Sequence, residues 1–176
     1  MKKIFLLSLL SAGALVSAQV GVNTENPQGI FHIDGAKDNA ATGVPTTIQQ
    51  ANDVIVTAQG RMGVGNTAPT SKLEVNGAST NTAAYNAGAG TAIDYSLSNL
   101  AYTTASAGAF TLSNIKDGGT YTLSVRGATS GISTFTAAGF TVKYVNNTKA
   151  TVAGKETLYT LVVMGTTLYV YTSSGF

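Results

Sequence analysis

The chain has 176 residues, ten Lys+Arg against eight Asp+Glu, and no cysteine. This is the length of one domain or two small ones. Disulfides are excluded as a source of stability, and scattered charges exclude the clustered positive face that a nucleic-acid partner needs. Only a tenth of the residues are charged, while Thr, Ser, Ala, Gly and Asn are abundant. Beyond the first eighteen residues no long apolar pattern of helical period runs without a Gly or Pro. Strand formers alternate instead with turn formers, and the expected fold class is all-β.

In chain order, Met1-Lys2-Lys3, an apolar run from Ile4 to Val16, and Val16-Ser17-Ala18 are the basic start, apolar centre and small-x-small close of a secretory signal. Cleavage is expected between Ala18 and Gln19. The run is shorter than the ~20 residues of a spanning helix, and Ser8, Ser11 and Gly13 interrupt it. The expected product is exported, to the cell surface, the medium or the periplasm, with no transmembrane segment. Lys2 and Lys3 leave with the signal, so eight basic and eight acidic side chains remain and the mature chain is near neutral.

Next come two copies of one phrase. "VGVNTENPQGIFHIDGA" (20–36) and "MGVGNTAPTSKLEVNGA" (62–78) align without a gap at an offset of 42. Gly21 matches Gly63, Val22 matches Val64, Pro27 matches Pro69, Gly35 matches Gly77, and Phe31 and Ile33 answer Leu73 and Val75. Pro suits the bend that enters a strand, and Asp-Gly or Asn-Gly suits the turn that closes it. Residues 36–51 read as a polar loop with one helical turn at Ile48–Ala51. "NDVIVTAQG" (52–60) reads as a strand and turn leading into a short strand by residue 65.

One such copy buries too little to offset its ordering entropy. Repeats solve this by stacking, normally with at least three units, and this chain has two. Other chains are the remaining source of neighbours. A homotrimer is therefore expected, burying Val22, Phe31, Ile33, Val64, Leu73 and Val75 against their equivalents.

All three prolines lie before residue 70 and all eight tyrosines after residue 84. That shift places a boundary near residue 80, with 19–80 holding the repeats, 81–92 a linker and 93–176 a β-domain. Within the last, Tyr121, Leu123 and Val125 alternate with Thr120, Thr122 and Ser124, the mark of a strand with one buried face. "GAFTLSNI" is expected to pair with it through Asp117-Gly118-Gly119. "STFTAAGFTVKYV" and a hairpin turning at Met164-Gly165 complete seven or eight strands, read as an antiparallel sandwich or meander.

"VGVNTENPQGIFHIDG" and "MGVGNTAPTSKLEVNG" resemble the Val-Gly-Ile-Gly-Thr-x-x-Pro repeats of exported Bacteroidetes proteins and of tail-fibre proteins. "AFTLSNIKDGGTYTLSVRG" (109–127) and "TLYTLVVMGTTLYVY" (157–171) resemble the C-terminal β-domain of phage tail fibres. The resemblance implies a trimeric fibre, a short β-repeat shaft followed by a receptor- or glycan-binding head. A secretory signal departs from that pattern and favours a host-encoded surface or secreted protein.

Other motifs lead elsewhere less well. His32, the only histidine, is expected to face solvent because alternation points it away from Phe31 and Ile33. "GVGNTA" (63–68) mimics a dinucleotide signature, but Pro69 and a strand follow where a helix is required. "SNIK" (113–116) runs into a turn where an acyl-enzyme Ser-x-x-Lys needs a helix. Asp34 and Asp38, and Asp117 alone, could touch a calcium ion but lack the oxygen array of an EF-hand, and a structural ion on the trimer axis stays open. The polar positions before Phe176 do not fit an outer-membrane strand. No cofactor and no catalytic set is expected. Tyr144, Tyr159, Tyr169 and Tyr171 are candidates for ligand contact, against filling the core or a subunit interface. A monomeric β-sandwich carbohydrate-binding module is the second reading, and an exported hydrolase the third.

Overall fold

The computed structural model describes residues 19–145 and 151–174. The expected signal at 1–18, its cleavage residue Ala18 and the terminal Phe176 lie outside the described residues. Among the described residues the fold is all-β apart from one helical turn, and they divide into two compact units with the boundary between Ser79 and Thr80.

The first unit is a five-stranded sheet of β1 (Val20–Val22), β2 (Phe31–Asp34), β3 (Asp53–Val56), β4 (Met62–Val64) and β5 (Leu73–Val75), adjacent in that order. β1 runs parallel to β2 and β4 parallel to β5, while β3 lies antiparallel between the pairs. The two copies of the phrase are thus the two parallel pairs. Their local chemistry matches at the same offset. Val20 N–H donates to the Ile30 carbonyl as Met62 N–H does to that of Lys72. Asn23 and Gly65 both take positive φ, 62° and 69°, where Gly is unstrained and Asn is tolerated. A Cβ on Gly21 or Gly63 would run into the carbonyl oxygen of Thr24 or Asn66, because the following turn folds back onto the strand. Between the copies, Thr46 caps α1 (Thr47–Gln50), its hydroxyl accepting from Gln49 N–H while the Gln49 side chain returns to Thr46 N–H.

The second unit is a sandwich. One sheet has the order β12-β14-β13-β10-β8-β6, the other β11-β9-β7. In chain order the strands are β6 (Tyr85–Asn86), β7 (Ala92–Asp94), β8 (Leu100–Thr103), β9 (Ala109–Ser113), β10 (Thr120–Val125), β11 (Thr134–Ala137), β12 (Thr141–Val145), β13 (Thr157–Met164) and β14 (Thr167–Ser174). Phe110 stacks on Phe135 within the small sheet, and Phe135 meets Tyr159 of the large one with ring centroids 4.9 Å apart. Tyr121, Leu123 and Val125 join Leu161, Val163, Leu168 and Val170 in the same core. β13 and β14 form the expected hairpin through Gly165 and Thr166, with Gly165 at φ 59°.

Three expectations need correction. β9 does not pair with β10: it lies between β7 and β11, while β10 lies between β8 and β13. Both strands carry an apolar face, Phe110 and Leu112 on one and Tyr121, Leu123 and Val125 on the other, and facing each other across the core buries both. The Asp117 turn therefore crosses between sheets, with Asp117 Oδ1 accepting from Gly165 N–H at 2.7 Å. The second unit is also mixed, not antiparallel: the small sheet is wholly parallel, as are the β12–β14, β10–β8 and β8–β6 pairs. Residues 81–92, read as a linker, carry β6 and the first residue of β7. Ala and Gly there mark tight turns, as where Thr103 Oγ1 donates to the Gly88 and Gly90 carbonyls.

Candidate interaction surfaces

Alternation sends successive side chains of the five-stranded sheet to opposite faces, and the register aligns them in rows. One face carries Val20–Phe31–Val56–Met62–Leu73 and, beside it, Val22–Ile33–Val54–Val64–Val75. All ten are apolar. Val20, Val22, Phe31, Met62, Leu73 and Val75 are exposed, Leu73 most of all at 61%. Ile33, Val54, Val56 and Val64, in the middle strands, are half-buried by their neighbours alone. Monomeric proteins rarely leave so continuous an apolar patch in water. The six residues expected to pack between chains, Val22, Phe31, Ile33, Val64, Leu73 and Val75, all lie on this face.

The opposite face is covered by the unit's own loops. Its central row is Gly21–His32–Ile55–Gly63–Glu74, flanked by Asp34 opposite Asp53. His32 is fully buried, which corrects the expectation of a solvent-facing ring. Its Nδ1 accepts from Gln28 N–H at 3.1 Å and its Nε2 lies 3.0 Å from Asp53 Oδ2. Accepting at Nδ1 places the proton on Nε2, which donates to the Asp53 carboxylate. Asn39 Nδ2 donates to the same oxygen at 3.0 Å.

Glu74, the equivalent residue of the second copy, plays the same part toward its own loop. Its Oε2 accepts from Thr70 N–H, four residues back as Gln28 is from His32, at 2.8 Å. That bond, the Thr70 hydroxyl and the Ser71 N–H hold the Glu74 carboxyl below its ordinary pKa. At Asp34, burial acts to raise the pKa but is outweighed by N–H bonds from Asn39, Asp38 and Lys37, so the group ionises below its ordinary value. These polar side chains tie loops to strands. No group of three or more His, Asp or Glu that could hold a metal occurs among the described residues.

In the second unit the four candidate tyrosines separate. Tyr159 is fully buried, and its hydroxyl meets that of Thr151 at 3.3 Å. Tyr144 packs against the core with its hydroxyl accepting from Phe135 N–H at 2.9 Å. Tyr159 is closed off from solvent, and Tyr144 is half-buried with its hydroxyl turned to the protein backbone. Tyr169 and Tyr171 are on the outer face of the six-stranded sheet, in rows Lys143–Tyr169–Val162–Thr120 and Val145–Tyr171–Thr160–Thr122–Leu100. Tyr171 is exposed and Tyr169 half-buried. One row further, the Arg126 guanidinium sits 4.6 Å from the Tyr102 ring centroid and 3.1 Å from Glu156. A separate depression of about 480 Å³ is lined by residues 80–85 and Leu97, with Thr80, Asn81, Thr82 and Tyr85 supplying its polar groups.

Sequence reasoning missed the His32–Asp53–Asn39 cluster. Its available signal was the pair Gly21 and Gly63, which mark the face that the loops close over. No protein-family model matches the chain, and neither a curated protein nor a solved structure matches it.

Proposed function

We propose that this chain is an exported, non-enzymatic structural or adhesive protein of tail-fibre type that works as a homotrimer. The first unit serves as the shaft that joins copies, and the second as a head that contacts a receptor protein or glycan. The ten-residue apolar face of the five-stranded sheet carries this reading. Such a face is unfavourable in water and is relieved when equivalent faces cover one another. The resemblance of both halves to tail-fibre segments supports it.

Sedimentation equilibrium on residues 19–176 is the test: a trimer mass, dissociating on dilution, is expected. A stable monomer at tens of micromolar would overturn it. The outward Tyr169 and Tyr171 favour the second reading, a monomeric carbohydrate-binding module, since exposed rings on a rigid sheet stack on sugars. A monomer that binds a glycan array and loses binding in Tyr171→Ala would establish that reading.

A further inference from the structure

We propose that neighbouring copies join edge to edge, β5 of one chain against β1 of the next, and that three copies close a prism with the apolar face inside. This rests on the self-association reading above and specifies how it is built.

Among the described residues β1 and β5 are the unpaired edges of the sheet, and the two are complementary. Val20 N–H donates to Ile30, so Val20 and Val22 direct their backbone groups at β2, and Gly21 directs its own outward. At the other edge, Met62 N–H donates to the Lys72 carbonyl and Asn76 N–H to that of Val64. Lys72, Glu74 and Asn76 therefore face β4, and Leu73 and Val75 point their N–H and C=O groups away. Phe31 and Ile33, the equivalents of Leu73 and Val75, use theirs to pair with Val56 and Val54 of β3. Among the described residues β5 has no such partner.

A parallel ladder needs one residue on one strand to bridge two residues spaced by two on the other. Gly21 supplies the one, and Leu73 and Val75 supply the two. The match sets the register: Val20 opposite Leu73, Gly21 opposite Glu74, Val22 opposite Val75. This repeats the register that β4 already holds on the other side of β5. It also carries both apolar rows across the junction unbroken. Val20 and Leu73, at opposite ends of one row, are the two most exposed residues on the face.

The width of the sheet selects three copies. Five strands at ~4.8 Å span ~24 Å, and three such sheets joined at their edges lie ~7 Å from a common axis. Face-to-face sheets approach a shared midplane to ~5 Å, so Phe31, Met62 and Leu73 can fill that interior. Four sheets would stand ~12 Å from the axis and leave a hollow. Two at the ~10 Å sandwich spacing would hold their edges at twice a strand spacing.

The chain has no cysteine, so disulfide trapping reads the junction directly. In the double variant Val22→Cys/Val75→Cys the two positions are four strands apart within a chain, beyond bridging distance, but face each other across the proposed junction. Oxidation is expected to give linked dimers and a closed trimer, with neither single variant cross-linking. Val20→Cys/Leu73→Cys, at more exposed sites, makes the same test should the first pair fail to fold. A trimer by sedimentation with no cross-link in either double variant would overturn edge joining and leave self-association standing. A ladder running past trimer would overturn closure at three. Equal cross-linking of the single variants would mean that equivalent residues meet at the axis. A monomer would overturn both readings.

Discussion

Leu73→Ser separates the roles of the two faces of the five-stranded sheet. Leu73 is 61% exposed in the single chain. Full burial of a leucine contributes ~1.5–3 kcal/mol, so about 1–2 kcal/mol per chain is realised only on association. Over three chains this is roughly 3–5 kcal/mol per trimer, or ~10²- to 10⁴-fold in the association constant at ~1.4 kcal/mol per tenfold. Trimer formation depends on the square of the free-chain concentration, so the concentration of half-assembly should rise ~10- to 100-fold. Sedimentation equilibrium over a dilution series measures it. The dilute chain should lose less than ~0.5 kcal/mol of folding stability, as surface substitutions do. Ile55→Ala, on the loop-covered face and fully buried, should instead cost ~2–5 kcal/mol of folding stability at any concentration. If Leu73→Ser destabilised the dilute chain as Ile55→Ala does, or left half-assembly unchanged, the division of labour between the faces would be wrong.

Three further outcomes follow from buried polar groups. His32→Leu strips Asp53 of a donor and Gln28 N–H of its acceptor, and should cost the first unit ~1.5–3 kcal/mol in chemical denaturation, as a lost buried hydrogen bond to a charged group does. The folded pKa of Asp34 lies below its ordinary value of 3.8. Its contribution is complete above the unfolded pKa and is lost as pH falls through the folded one. Acid titration of stability below about pH 4 should be flatter in Asp34→Asn than in the parent. In the second unit, burial raises the Tyr95 phenol well above its ordinary pKa, and its hydroxyl has no hydrogen-bond partner among the described residues. Tyr121 hydroxyl accepts from Lys116 N–H at 3.0 Å. Thermal denaturation should show Tyr95→Phe neutral or stabilising, and Tyr121→Phe weaker by ~1 kcal/mol.

Much of the first unit was legible because its signals are local. The offset of 42 placed Asn23 with Gly65 and Phe31 with Leu73, and the structure uses each pair alike, in turn conformation and in register. The helical turn read at Ile48–Ala51 lies one residue past the observed Thr47–Gln50, whose cap at Thr46 the reading did not use. Alternation also separated the two faces of β2 correctly, but not which face the chain would cover. That depends on residues 35–46 folding back to bring Asn39 onto Asp53, a contact between positions fourteen apart that no periodicity records. His32 was misplaced for that reason.

The β9–β10 hairpin failed differently. Asp117-Gly118-Gly119 is a sound turn, but a turn does not specify whether its flanking strands pair beside or stack across. The need to bury Phe110 and Leu112 against Tyr121 and Leu123 decides that, and it is a property of the whole core. Tyr144 and Tyr159 point inward by the same logic. Tyr169 and Tyr171 differ from them in register, not in composition.

The most direct test uses the methionines. Met62 lies mid-row on the apolar face and is 41% exposed in the single chain, while Met164, at the β13–β14 turn, is 63% exposed. Peroxide oxidation followed by peptide mass spectrometry compares them within one molecule. If copies cover the face, Met62 oxidation should slow sharply as concentration rises through the assembly range while Met164 is unaffected. Oxidation of Met62 at the same rate at every concentration would mean that the face stays bare.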